Sequence, residues 1–443
     1  MFHRVLDRNS LSRDQNFLLF WGSETASLLG SELARLVYPL IAILTFGATA
    51  FQVSLIQAFM YAPIIMFSLV VGVWFDRRRH RRHALLITNT VRALVIALVP
   101  LAYAESLLSL PLLYAVIFVV GCLTLMFEVG SLSYIPTLVE RRHLTSANSR
   151  IQISFSLAAI AGPSLGGVLV AVMKGPVALA VSAVGFALSS VLLGMIRKAE
   201  PTAPTEGRRE PILDSIKEGL RTVFSEPMLR NLLAQSATYN FFQNALIVVF
   251  VVYVVRTLGF SPQQLGFVLG FGAAAALLAA AVTNQITRRM GLGRTLRIAT
   301  FGCCLPALLM LVPRNASLVS VVVLIIAQAI SSFNLVVWNV NTLTLRQVVT
   351  PNGVLGRMNA SYRMILYGTA PFGALAGGLL GETLGLRWAM VTTASLLLIP
   401  IGWTFISPVF RLSQMPDGPE ETALDQAAVA NAAAQQQPQA ATD

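Results

Sequence analysis

Five ionisable side chains fall inside long apolar stretches of this sequence: Glu24, Glu32, Arg35, Arg92 and Glu128. A charge in a hydrocarbon layer is costly unless paired or hydrated, so each of the five needs a functional explanation. Carboxyls near guanidinium groups can be poised to take up and release a proton. Glu32 and Glu128 are the candidates for proton coupling, with Glu24 beside them and Arg35 and Arg92 as tuning partners. On a helix turning roughly 100° per residue, Glu24, Arg35 and Glu32 stand at roughly 0°, 20° and 80°, one arc that suits a bundle interior. At ~1.5 Å per residue, Glu24, Arg92 and Glu128 lie about 12 Å deep, while Glu32 and Arg35 lie near mid-membrane. The plainer alternative is that fixed ion pairs hold the helices together.

A second set of residues could build a cavity. Asn334, Trp338 and Asn341 recur at helical spacing, Tyr239, Asn240 and Gln243 do the same, and Gln57 and Tyr61 share one face. Aromatic surface mixed with uncharged hydrogen-bonding groups suits bulky amphiphilic compounds. Interhelical hydrogen bonding competes with this reading and is the stronger explanation for any single amide.

These residues must be positioned by membrane-spanning helices. Of the 443 residues, 55% are hydrophobic and 12% charged, outside the range of soluble globular chains. Backbone polar groups in a bilayer must be paired within the chain, so only helices or closed barrels cross it. The apolar runs are near the ~20 residues a helix needs and do not alternate as barrel strands do. They predict spans at 17–46, 52–75, 84–104, 110–134, 151–173, 177–196, 228–255, 263–286, 295–313, 316–341, 360–381 and 388–408. No cleavable signal peptide is expected, and the first span serves as the targeting signal. Cys122, Cys303 and Cys304 all fall in spans and imply no disulfide framework.

The net charge of +12 is topological. Only Lys174, Arg256, Arg314 and Arg387 fall on one side of the predicted spans, and Arg35 and Arg92 lie inside them. The other lysines and arginines share the opposite side. That bias makes the basic side cytoplasmic, with both termini inside a multi-pass inner-membrane protein. Nucleic-acid binding is not expected.

A polar connection at 197–227, with an amphipathic stretch near Ile212 to Phe224, separates a first six-span bundle (17–196) from a second (228–411). Residues 1–16 form a cytoplasmic N-terminus, and 412–443 reads as a disordered cytoplasmic tail. Shifting the chain by 211 positions lays Leu144, Asn148, Gly162, Gly166, Gly167 and Leu169 on Leu355, Asn359, Gly373, Gly377, Gly378 and Leu380. It also lays Arg77 and Arg78 on Arg288 and Arg289. Parallel six-helix repeats with a site between them are a transporter architecture.

Three motifs carry a family resemblance. Gly72-Val-Trp-Phe-Asp76-Arg77-Arg-Arg-His-Arg81 resembles the G-x-x-x-D-R-x-G-R-[RK] loop signature of the major facilitator superfamily, with Arg79 and His80 departing from it. The resemblance implies a cytoplasmic gate at Gly72, Asp76, Arg77 and Arg81, with Gly72 permitting close helix approach. The second half has Thr287 where the aspartate would stand. A basic loop that only sets topology is the other reading. Gly162-Pro163-Ser-Leu-Gly166-Gly167 matches the core of the family's antiporter motif, without its upstream glycines. Phe127-Glu128 through Tyr134-Ile-Pro136 and Ala147-Asn148-Ser149, together with Ser27-Leu-Leu-Gly30, is similar to the branch of macrolide, multidrug and siderophore (enterobactin) exporters.

The resemblance implies an all-α membrane protein of twelve helices in two pseudo-symmetric six-helix bundles. It further implies a monomeric, proton-coupled exporter of amphiphilic small molecules. No cofactor or metal is called for. No phosphate-binding loop accompanies Lys174, Lys198 or Lys217, so ATP hydrolysis is not expected. An intramembrane enzyme is disfavoured because His3, His80, His83 and His143 all lie in loops and no H-E-x-x-H motif occurs. Importing a nutrient, or handling lipid, with the same fold stays open.

Overall fold

The helices begin and end where the chain offers caps and breakers. In the computed structural model, which describes residues 14–77, 80–140, 143–197, 212–351, 354–412 and 416, the Asp14 carboxylate accepts hydrogen bonds from the backbone N–H groups of Asn16 and Phe17. That cap opens α1 (Gln15–Phe46), and Gly47, at φ +60°, closes it. There follow α2 (Ala50–Arg77), α3 (Arg81–Ala104), α4 (Leu110–Leu138), α5 (Leu144–Met173) and α6 (Gly175–Met195). After the connection come α7 (Ile212–Ser225), α8 (Pro227–Arg256) and α9 (Pro262–Met290), the last opened by a capping box between Ser261 and Gln264.

The ninth span is broken into α10 (Leu292–Cys304) and α11 (Pro306–Leu309). Then come α12 (Leu318–Val349) and α13 (Leu355–Thr383), and the twelfth span is broken into α14 (Leu386–Leu396) and α15 (Ile399–Ile406). Pro306 and Pro400 stand at these breaks, where each lacks the N–H an unbroken helix needs. Twelve segments among the described residues are long and apolar enough to cross a membrane. Each overlaps its expected span, with ends displaced by up to eight residues.

α1 packs on α5 and α6, α3 on α4 and α6, and α2 on α4, which makes one bundle of six spans. In the second bundle α8 packs on α13 and α14, and α12 packs on α9 and α10. The bundles meet chiefly along α5 with α9 and α2 with α13. The segments 1–13, 198–211, 413–415 and 417–443, which include most of the expected terminal and linker regions and the tail, lie outside the described residues. The amphipathic stretch forms α7, which packs on α13: Glu218 pairs with Arg357, and Val223 is fully buried.

The repeated glycines show how the bundles are built. A Cβ at Gly162 would stand 2.5 Å from the Glu32 Cβ on α1, and Gly373, its counterpart, is pressed against the Phe241 carbonyl on α8. Gly166 faces the Leu33 carbonyl of α1, and Gly377 that of Ala245 on α8. Gly167 touches the Pro262 carbonyl of α9, and Gly378 touches Ser54 and the Ala50 carbonyl of α2. Each member of the triplet therefore has the same packing role in both halves, two positions within a bundle and one between bundles. The between-bundle contacts join the last turns of α5 and α13 to the first turns of α9 and α2, so the halves are sealed at the face remote from the start of α1.

Overpacking a tight helix contact typically costs about 1–3 kcal/mol. Gly167→Ala is expected to lower the unfolding temperature in detergent. Gly402→Ala, where a Cβ meets nothing within 4 Å, is expected to leave it within a degree or two of the parent. Equal melting curves for the two variants would contradict the close α5–α9 seal.

Candidate functional site

The antiporter-like motif packs directly against one of the proton-coupling candidates, Glu32. Gly162 lets α5 lie directly on the backbone of α1 at Glu32 and Leu33. The Glu32 carboxylate is buried there and pairs with Arg35, one turn on, at 3.2 Å. Pro39 leaves the Arg35 carbonyl without its intrahelical donor, and the Arg35 side chain remains 52% exposed, reaching into the space between the bundles. Pro163 stands next to Gly162 and offers its carbonyl to close contact with Gly266 of α9.

Arg92 is buried in the first bundle, where its guanidinium lies 3.8 Å from the centre of the Phe186 ring. It donates to Ser27 Oγ at 3.0 Å, Asn89 Oδ1 at 2.9 Å and Ser31 Oγ at 2.7 Å. Glu24 is buried and accepts a hydrogen bond from Ser131 of α4. Glu128 is exposed to the central space and, among the described residues, makes no hydrogen bond or ion pair. The three groups expected at one depth thus form three separate arrangements: Arg92 held by hydroxyls and an amide, Glu24 held by a serine, and Glu128 without a partner among the described residues. Glu128 interacts electrostatically with Arg35, Arg92, Glu32 and Arg363 without contact.

A cavity of about 90 Å³ in the first bundle is shared by Arg35, Arg92 and Glu128. Arg35, Tyr38, Tyr61, Arg92, Thr124 and Glu128 are among its lining residues. Of the aromatic and amide candidates, Tyr61 lines this cavity and Gln57 is half-buried one turn away on α2.

The second-half candidates sit elsewhere. Trp338 is buried, stacks on Phe410 at 6.2 Å and, with Tyr239, Cys303 and Cys304, lines a small pocket of about 20 Å³ in the second bundle. Asn341 is buried, donates to the Val337 carbonyl and accepts from Thr287 of α9 at 2.9 Å. Asn334 donates to the Ile330 carbonyl of its own helix and packs against Gly302. Asn240 donates to Thr369 and the Leu366 carbonyl of α13, and Gln243 is half-buried on the same helix. The stripe on α12 therefore turns into its own bundle, because an unpaired amide in an apolar bundle is better satisfied by neighbouring helices.

One further expectation is corrected. A Cβ at Gly72 would meet nothing within 4 Å, so that glycine does not mediate close approach. Arg81 donates to the Ser133 carbonyl of α4 at 2.8 Å, a bond within the first bundle. Asp76 and Arg77 end α2, and their side chains lie outside the described part of the structure. At the matching place in the second half, Thr287 bonds Asn341 where an aspartate would stand.

The sequence reading also missed two residues of α13 that face the central space. Arg363 and Tyr367 are exposed, with the guanidinium 5.6 Å from the ring centre, and they interact electrostatically with Glu128 and Arg35 across the bundles. Arg363 reads as a loop residue because it stands near the basic end of its span. The repeat gives no help, since the shift of 211 lays Gln152 on it.

Two six-span bundles that meet along α5–α9 and α2–α13, with ionisable side chains lining a cavity in the first of them, have the architecture of a membrane transporter. The chain belongs to the major facilitator superfamily, whose family model matches residues 20–374. It is 25% identical over 388 residues to the multidrug efflux pump Tap of Mycolicibacterium fortuitum, covering 84% of this chain and 90% of the pump. It is 24% identical over 405 residues to the pump of the same name from Mycobacterium tuberculosis H37Rv, covering 87% and 91%. Among solved structures, a point mutant of the nucleoside transporter NupG superimposes with a TM-score of 0.69 at 12% identity, covering 88% of this chain and 99% of that one. A bacterial homologue of the iron transporter ferroportin gives 0.65 at 19% identity, covering 90% and 99%.

The placement of Asn341 yields a test. Asn341→Ala is expected to lower stability by about 1–3 kcal/mol, the cost of leaving buried partners unpaired, and to leave the half-saturating substrate concentration of transport unchanged. A raised half-saturating concentration at unchanged stability would return Asn341 to the substrate cavity.

Proposed function

We propose that this protein is a proton-coupled exporter of amphiphilic small molecules, in which Glu128 is the proton-carrying group and the Glu32–Arg35 pair is its electrostatic partner. The observation that carries the reading is Glu128 itself: an exposed carboxylate within a membrane span, lining the first-bundle cavity, with no partner among the described residues. A fixed structural charge would be paired, whereas a carrier must be reachable by water and free to change its protonation. Arg35 and Glu32 lie within electrostatic range, so a proton on Glu128 alters the field at the α1–α5 contact.

Glu24 is a weaker candidate, since it is buried and held by Ser131. The efflux pumps named above, alike over most of their length, support outward transport of drug-like compounds. The distribution of basic residues supports an inner-membrane orientation with both chain ends in the cytoplasm. In that orientation the seal among Gly167, Gly266, Gly378 and Ala50 lies on the outer side, so the cavity of this conformer is served from the inside.

Inside-out vesicles carrying the protein, energised with an imposed pH gradient and loaded from outside with a fluorescent dye substrate, provide the test. Glu128→Gln is expected to abolish gradient-driven uptake while permitting exchange down a substrate gradient, and Glu32→Gln is expected to weaken uptake several-fold. Full gradient-driven uptake in both variants would end the proposal.

A further inference from the structure

The cavity in the first bundle contains two donors that the protein does not use. Arg92 spends both terminal nitrogens on Ser27, Asn89 and Ser31, but among the described residues its Nε has no partner, and neither has the hydroxyl of Tyr38. Both side chains are almost fully buried, at 1% and 3% exposure, and both line the same cavity of about 90 Å³. Buried donors are rarely left unsatisfied, because each forfeits its hydration on folding. With a water's share of liquid volume at ~30 Å³, the cavity holds about three waters or one small substituent of a larger molecule.

The charges around it decide what kind of substituent fits. Arg35 is already neutralised by Glu32, and the terminal nitrogens of Arg92 are engaged. The unpartnered Glu128 carboxylate faces the same space and repels an anion. The unmet need is for a neutral acceptor, with a cation or hydroxyl tolerated on the Glu128 side. Tyr61 and Met60 at the cavity wall supply apolar surface for the body that carries it.

We propose that this cavity is a cargo subsite in which Tyr38 Oη and Arg92 Nε donate hydrogen bonds to a neutral carbonyl or ether oxygen of a cationic amphiphile. The proposal rests on the exporter reading for its physiological meaning, but its test needs no transport. Binding is measured by calorimetry on the purified full chain in detergent at one fixed pH, with two cationic probes: erythromycin, rich in carbonyl and ether oxygens, and tetraphenylphosphonium, which has no hydrogen-bond acceptor.

Tyr38→Phe is expected to weaken erythromycin binding about 3- to 10-fold, the worth of one neutral hydrogen bond, and to leave tetraphenylphosphonium binding within about 2-fold. Its melting temperature is expected to be unchanged, since the hydroxyl it removes bonds nothing in the protein. Equal weakening of both probes, an unaltered erythromycin affinity, or no erythromycin binding by the parent protein would each overturn the subsite. A failure of proton-driven export in vesicles with this binding pattern intact would count against the exporter reading alone.

Discussion

The contact between Gly162 and the backbone at Glu32 is the constraint on which the rest of the first bundle depends. With hydrogen as its side chain, Gly162 lets α5 settle on α1 at the level of the Glu32–Arg35 pair, and Gly167, on the adjacent face of the same helix, lets α9 of the other bundle approach equally closely. One short string of small residues therefore fixes both the internal geometry of the ionisable site and the seam between the halves. Lipid tails offer no hydrophobic drive for helices to associate, so close backbone packing of this kind is a principal source of cohesion available to them.

The second half repeats the packing without repeating the charges. Gly373, Gly377 and Gly378 take the places of Gly162, Gly166 and Gly167, yet Gly373 presses on Phe241 where Gly162 presses on Glu32. The polar groups of the second bundle, from Asn240 with Thr369 to Asn341 with Thr287, are spent on bonds between helices. Its exception is the face of α13 that carries Arg363 and Tyr367, which interact electrostatically with Glu128 and Arg35 of the first bundle. Duplication supplied a symmetric scaffold, and charge was placed on it asymmetrically.

Within the first bundle the three intramembrane acids have different neighbours and hence different capacities. Glu24 is held by a hydroxyl and Glu32 by an arginine one turn away, while Glu128 faces the cavity without a partner among the described residues. Chemistry that requires a group to change state is best placed on the member whose change breaks no existing bond. The buried arginine shows the converse design: three fixed acceptors and the Phe186 ring make Arg92 part of the wall, leaving one nitrogen uncommitted.

Span number, helix positions and the repeat were legible in the sequence, because bilayer thickness and backbone satisfaction constrain local composition directly and the Gly162 and Gly373 triplets align by a single shift. The five intramembrane charges were legible for the same reason: each stands out against an apolar run. Which of them pair was not legible, since Glu128, Arg92 and Glu24 share a depth but not a rotational direction, and direction is set by how four helices pack. Asn334, Trp338 and Asn341 show the same limit, because a polar stripe marks a helix face without saying whether that face meets a cavity or a neighbour. Only the tertiary structure turned that face inward to Thr287 and Phe410, brought Arg363 to the central space, and left the Tyr38 hydroxyl unpaired beside Arg92.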